Sequence, residues 1–148
     1  MITYKSKCPQ IKLVKEKSEF YSAKLKSSKE VGDFCRNFFK DDLGLYESMF
    51  LLLLNQANNT IGWVKISQGG VTGTVCDPII IAKYAIEALA KNVILCHNHP
   101  SGNLTPSQAD MTLTKKVSTG LSFFDIKVLD HIILTEEDFY SFADNGIM

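Results

Sequence analysis

A chain of 148 residues fits one domain with a sizeable core, and its 45% hydrophobic and 22% charged composition is ordinary for a globular protein. Sixteen basic residues balance sixteen acidic ones, which excludes an overall pull toward nucleic acid or an anionic membrane while leaving room for local patches. The most apolar run, Met49–Leu54, falls far short of the about 20 residues a bilayer span requires.

The polar start Met1-Ile-Thr-Tyr-Lys-Ser-Lys7 lacks the apolar core of a signal peptide, so a cytoplasmic location is the expectation. Cys8, Cys35, Cys76 and Cys96 form no CxxC pair. The apolar neighbours of the last three predict buried thiols rather than a disulfide framework.

In chain order, residues 1–27 are lysine-rich and alternate at Ile11–Val14 and Phe20–Leu25, as edge strands or an ordered arm do. Ser27 and Glu30 have the spacing of a capping box. Val31, Phe34, Cys35 and Phe38 behind them form an apolar stripe, predicting a helix from about 28 to 40. Glu47–Leu54 reads as a central strand buried on both faces. Asn58-Asn59 marks a turn, followed by an antiparallel strand over Thr60–Ser67. Gly69-Gly70 breaks that strand, and Val71–Val75 suggests a short extended piece.

Asp77-Pro78 starts a second helix running to about Ala90, with an acid at the cap and proline at the first helical position. Val93–Cys96 is a short buried strand. Ser107 opens a third helix ending near Gly120, Asp125–Leu134 is β-rich, and Thr135–Asn145 predicts a terminal helix with Gly146 behind it. This order predicts an α/β fold, a mixed sheet flanked by helices.

The chemistry concentrates in Cys96-His-Asn-His-Pro-Ser-Gly-Asn-Leu-Thr-Pro-Ser-Gln-Ala-Asp110. Residues two apart on an extended chain point the same way, so His97 and His99 can converge on one ion. Pro100 biases His99 toward extended backbone. Ser101-Gly102-Asn103 permits a tight loop that returns the chain, placing Asp110 in the first turn of the next helix. Two imidazoles and one carboxylate are a common catalytic zinc set, because the fourth position is left for water. The plainer alternative is a surface His-x-His followed by a helix cap at Ser107-x-x-Asp110.

The stretch from His97 to Asp110 resembles the JAMM (JAB/MPN) metal motif in the form carried by the RadC family. Glu47 with its strand, Gly69–Pro78, Leu129-Asp-His-Ile-Ile-Leu134 and Tyr140–Gly146 resemble further RadC segments in the same order, so the likeness covers residues 28–148. It implies the JAMM sandwich, similar in layout to cytidine deaminases, and a Zn2+-dependent hydrolase acting on an amide or isopeptide bond of a peptide or conjugate. It implies His97, His99 and Asp110 as metal ligands, Ser107 as hydrogen-bond donor to an oxyanion, and Glu47 as general base. Glu30 and Glu87 are poorer candidates for the base, each lying in a predicted helix. Asp130-His131 reads either as a second metal or supporting pair or, more simply, as a strand histidine with a local partner.

Longer RadC-like proteins resemble a fusion with an N-terminal helix-hairpin-helix module. The 27 residues preceding the JAMM-like region carry no such Gly-rich hairpin. The alternative function, a DNA-associated or non-catalytic scaffold domain, therefore rests mainly on Lys5, Lys7, Lys12, Lys15 and Lys17, for which a solvated edge is the simpler reading. A zinc deaminase is not expected, because the PCxxC that completes its site is missing.

Overall fold

A computed structural model describes residues 7–70 and 75–148 of the chain. The elements are α1 (Ser28–Phe39) with a short 3-10 turn (Lys40–Asp42), β1 (Ser48–Leu54), β2 (Thr60–Gln68), α2 (Pro78–Glu87), β3 (Asn92–Asn98), α3 (Gln108–Ser122), β4 (Lys127–Leu134) and β5 (Phe139–Ser141). The strands form one five-stranded sheet in the order β2-β1-β3-β4-β5. β3 and β4 are parallel, joined through α3, and the other pairs are antiparallel. Helices cover both faces, so the expected mixed α/β architecture is the one observed.

The leucine run of β1 is apolar throughout because both its faces are covered. Phe50, Leu52 and Leu54 pack with Val31, Cys35, Phe38 and Phe39 of α1. Met49, Leu51 and Leu53 pack with Ile81 and Ala85 of α2 and with Val117 and Leu121 of α3. All seven β1 residues are buried. This strand is the rigid centre from which the site is hung.

Local signals at the helix starts hold. Ser27 Oγ accepts from Glu30 N–H at 3.2 Å, although the Glu30 carboxylate reaches back to Lys26 N–H (2.8 Å) rather than to Ser27. Asp77 caps α2 through Ile79 N–H, with Pro78 in the first turn. The helix ends are less faithful to the sequence. α2 stops at Glu87, where Leu89 turns to φ +53° and Ala90 N–H bonds back to the Ala85 carbonyl. α3 runs through Gly120 to Ser122.

The predicted terminal helix over Thr135–Asn145 does not form. Phe139–Ser141 pairs instead with β4, which would otherwise present an open edge. The Arg36 guanidinium of α1 donates to the carbonyls of Thr135, Glu136 and Asp138, taking acceptors that a helix would have used internally. The Asp130 carboxylate accepts from Ser141 Oγ and from Ala143 N–H, fixing the turn beyond β5. Tertiary partners thus outbid a weak local helix.

Within residues 7–27 the backbone pairs with the sheet near its end, at the isolated bridge Lys24–Asn59, and Ile11–Val14 forms no strand. Of the extended piece predicted at Val71–Val75, only Val75 lies within the described residues, where it is exposed and outside any strand. Cys35 and Cys96 are buried as expected, whereas Cys76 is half-buried and Cys8 exposed. Among the described residues no helix is long and apolar enough to cross a membrane.

Candidate metal centre

The site is assembled where β1 and β3 run side by side and α3 begins. The antiparallel register sets Met49 opposite His97. Glu47, two residues before Met49 and on the same face, therefore rises beside the imidazoles. Its Oε1 lies 3.8 Å from His97 Nε2 and 4.0 Å from His99 Nε2. Asp110, third residue of α3, approaches from the helix side, with Oδ1 3.2 Å from His97 Nε2 and Oδ2 3.4 Å from His99 Nε2. The two Nε2 atoms are 2.9 Å apart. One donor atom from each of Glu47, His97, His99 and Asp110 falls within 4.8 Å of the other three, an arrangement that can hold a metal ion.

Each member is held by a nameable local cause. β3 extends through His97 and Asn98, two residues further than the sequence suggested, so His97 is mounted on the sheet itself. His99 N–H bonds to the Leu134 carbonyl (2.8 Å), carrying the extended path one residue past the strand. Gly102 then takes φ +83°, a conformation that disfavours any side chain. The loop doubles back there, and the Asn103 carbonyl comes within 2.6 Å of His99 Nδ1. Ser107 and Asp110 form a reciprocal capping box: Ser107 Oγ accepts from Asp110 N–H (3.1 Å), and Asp110 Oδ2 accepts from Ser107 N–H (2.8 Å). The bond that caps α3 also aims the Asp110 carboxylate toward the two imidazoles. Ser107 itself is exposed.

The donor chemistry fits a divalent cation. A carbonyl can only accept, so His99 Nδ1 bears a proton, and the Nε2 of the neutral ring presents its lone pair inward. At 2.9 Å from a second imidazole nitrogen and flanked by two carboxylates, that lone pair calls for a positive centre. Imidazole nitrogen and carboxylate oxygen are both donors that a divalent metal ion accepts.

The charges follow the same logic. Burial opposes the Asp110 carboxylate, but the His97 and His99 imidazoles beside it, together with the Ser107 N–H, prevail and hold its pKa far below the usual range. Burial likewise works against a charged His99, yet its bonds to Asp110 and to the Asn103 carbonyl raise its pKa overall. His131 behaves oppositely: full burial, reinforced by His97, pushes its pKa well down.

Sequence reasoning missed Asn98, between the two histidines. Its side chain points to the opposite face of the strand and is fully buried. There its amide accepts from Ser48 N–H (2.8 Å) and donates to the carbonyls of Leu43 (2.7 Å) and Tyr46 (2.6 Å). It therefore clips the segment carrying Glu47 to the strand carrying the histidines. The signal was available: an amide at the end of a buried strand must find partners.

Asp130-His131 is not a second metal pair. The Asp130 carboxylate is spent on Ser141, Ala143 and the His131 N–H, and burial raises its pKa despite those bonds. The His131 ring stands directly behind His97 (Nε2 to Nδ1, 2.7 Å). Glu30 is committed to the start of α1. Lys7, Lys12, Lys15 and Lys17 are exposed, and Lys5 lies outside the described residues.

The chain is similar to known proteins. A family profile described as the RadC-like JAB domain matches residues 25–147. A UPF0758 protein of Flavobacterium johnsoniae is 47% identical over 102 residues, covering 69% of this chain and 44% of that protein. UPF0758 protein YfjY of Escherichia coli is 41% identical over 102 residues, covering 69% of this chain and 64% of its own length. A UPF0758 protein of Porphyromonas gingivalis is 39% identical over 103 residues, covering 69% and 45%. The chain thus spans about half the length of these relatives.

Proposed function

Since the chain belongs to the RadC-like JAB domain family, we propose that it is a zinc-dependent hydrolase acting on an amide or isopeptide bond. The observation that carries this reading is the convergence within 4.8 Å of two imidazoles and two carboxylates from just ahead of β1, the end of β3 and the first turn of α3. In it, His97 Nε2, His99 Nε2 and the Asp110 carboxylate hold the ion. When bound, zinc supplies a Lewis acid for the substrate carbonyl and lowers the pKa of water to roughly 7.

The two carboxylates divide the remaining work by position. Asp110 is closer to both imidazoles (3.2 and 3.4 Å) and is locked by the capping box, as suits a ligand. Glu47 stands back at 3.8 and 4.0 Å, half-buried and just ahead of β1, as suits a group that exchanges protons. Its Oε1 takes the proton of the attacking water and later delivers it to the leaving nitrogen. The Ser107 hydroxyl oxygen already accepts from Asp110 N–H, so its own proton is available to an oxyanion.

The test is metal content of protein purified without chelator, beside Asp110→Ala and Glu47→Gln. The expected result is near one zinc per chain in wild type and Glu47→Gln, and background in Asp110→Ala. Turnover of internally quenched isopeptide-linked substrates falls by about 10²–10⁴ in Glu47→Gln. No zinc in wild type even after reconstitution overturns the reading, and full turnover in Glu47→Gln removes Glu47 from the role of base.

A further inference from the structure

We infer that Thr114 and His131 form a hydrogen-bonded strut behind the centre that fixes the tautomer and aim of His97, making both of them positioning residues. The inference rests on the metal reading only for its consequence at the ion; the strut itself is a matter of hydrogen-bond direction.

The direction is set at the α3 end. Thr114 Oγ1 donates to the Asp110 carbonyl four residues back (2.7 Å). A hydroxyl has one proton, so toward His131 Nδ1, 2.6 Å away, Thr114 can only accept. His131 therefore carries its proton on Nδ1.

The far side of the His131 ring meets His97, Nε2 to Nδ1, at 2.7 Å. His131 is fully buried, its nitrogens taken by Thr114 and His97 and its face stacked on Phe142 (4.5 Å between centroids, 24° between planes). Among the described residues no carboxylate is within ion-pairing distance of the ring. With its proton on Nδ1, the ring acts as acceptor at its other nitrogen. Nε2 of His131 then holds a lone pair, and His97 Nδ1 must be the donor. A neutral His97 is left with its Nε2 lone pair facing His99 and Asp110. One threonine hydroxyl thus dictates, through two rings, which nitrogen faces the site.

The strut also joins two ligands that come from different elements. It starts at the backbone of Asp110, crosses β4 and ends on His97, so a shift of α3 against β3 is resisted by three bonds in series. β4 is bent to permit this. Val128 pairs with Val93 but Asp130 with Ile94, leaving Leu129 as the extra residue of a bulge. Val128 packs on the α2/α3 face, whereas Ile132 and Leu134 pack on the α1 face. The bulge changes the parity between them and turns His131 toward α3 instead of α1.

A histidine that merely fills the core would affect stability and leave His97 alone. The strut predicts more. Long-range ¹H–¹⁵N spectra of the metal-free protein should show His97 protonated at Nδ1 in wild type and in Thr114→Ser, with Thr114→Val losing that fixed pattern at His131 and His97. Zinc affinity, read by competition with a chromophoric chelator, should fall about 10–100-fold in Thr114→Val, the usual cost of losing such support, and return in Thr114→Ser. A wild-type His97 without a proton on Nδ1 overturns the inference, as does a Thr114→Val protein with unchanged tautomers and zinc affinity. The wild-type spectrum decides the tautomer whatever the variants' stability. A wild-type protein with the expected spectrum and no zinc binding would retain the strut and refute the metal reading, so the two failures are distinguishable.

Discussion

Residues 96–110 and 128–142 both converge on His97, but they are held by different kinds of interaction. The first segment is organised almost wholly by near neighbours: strand alternation for His97 and His99, the positive φ of Gly102, and a capping box between Ser107 and Asp110. The second is organised by contacts distant in sequence. His131 meets His97 across 34 positions and Thr114 across 17, and Asp130 holds Ser141 across 11. A site can therefore present ligands whose identity is local while the shell that aims them is not. The front segment should govern which donors are offered, and the back segment how stably the fold presents them and, through His131, how His97 is aimed.

The largest expected effect separates the two. His99→Ala should reduce zinc from near one per chain to background by elemental analysis. Its ring is still partly exposed, and its loss should leave the midpoint of urea unfolding of the metal-free protein almost unchanged. A large fall in that midpoint would erase the distinction. Phe142→Ala is the converse case in the back segment. This fully buried ring, stacked on His131, should cost about 3–5 kcal/mol by denaturant titration, and any zinc defect should follow from unfolding.

Asn98 sharpens the comparison, because it belongs to the front segment and should behave like the back. Asn98→Ala leaves Ser48 N–H and the carbonyls of Leu43 and Tyr46 without their partner, for an expected loss of about 2–3 kcal/mol. The folded fraction should still bind zinc, since Asn98 faces away from the His97, His99 and Asp110 cluster. Loss of zinc at unchanged stability would show that the clip on the Glu47 segment extends to the ligands.

The misreadings follow the same division. Ser27, Asp77 and Ser107 were legible as helix starts because a cap is satisfied within three residues. The apolar run of β1 was legible as a doubly covered strand for a similar reason: its composition already states that neither face meets water. Thr135–Asn145 was not, because its fate depends on Arg36 and on the free edge of β4, neither of which is nearby in sequence. His131 was legible as a strand histidine, but which way it faces was not, because its side of the sheet depends on a one-residue bulge at Leu129.

By itself, then, the sequence singled out His97, His99 and Asp110, the mixed α/β class and the resemblance that pointed to Glu47. Residue type and short spacing are local properties, and they carry over unchanged into any folded state. The tertiary structure alone decided that Glu47 stands beyond Asp110 from the two imidazoles, that Asn98 clips its segment in place and that His131 backs His97. Each of these depends on the register between strands, where a slip of one residue sends a side chain to the opposite face of the sheet.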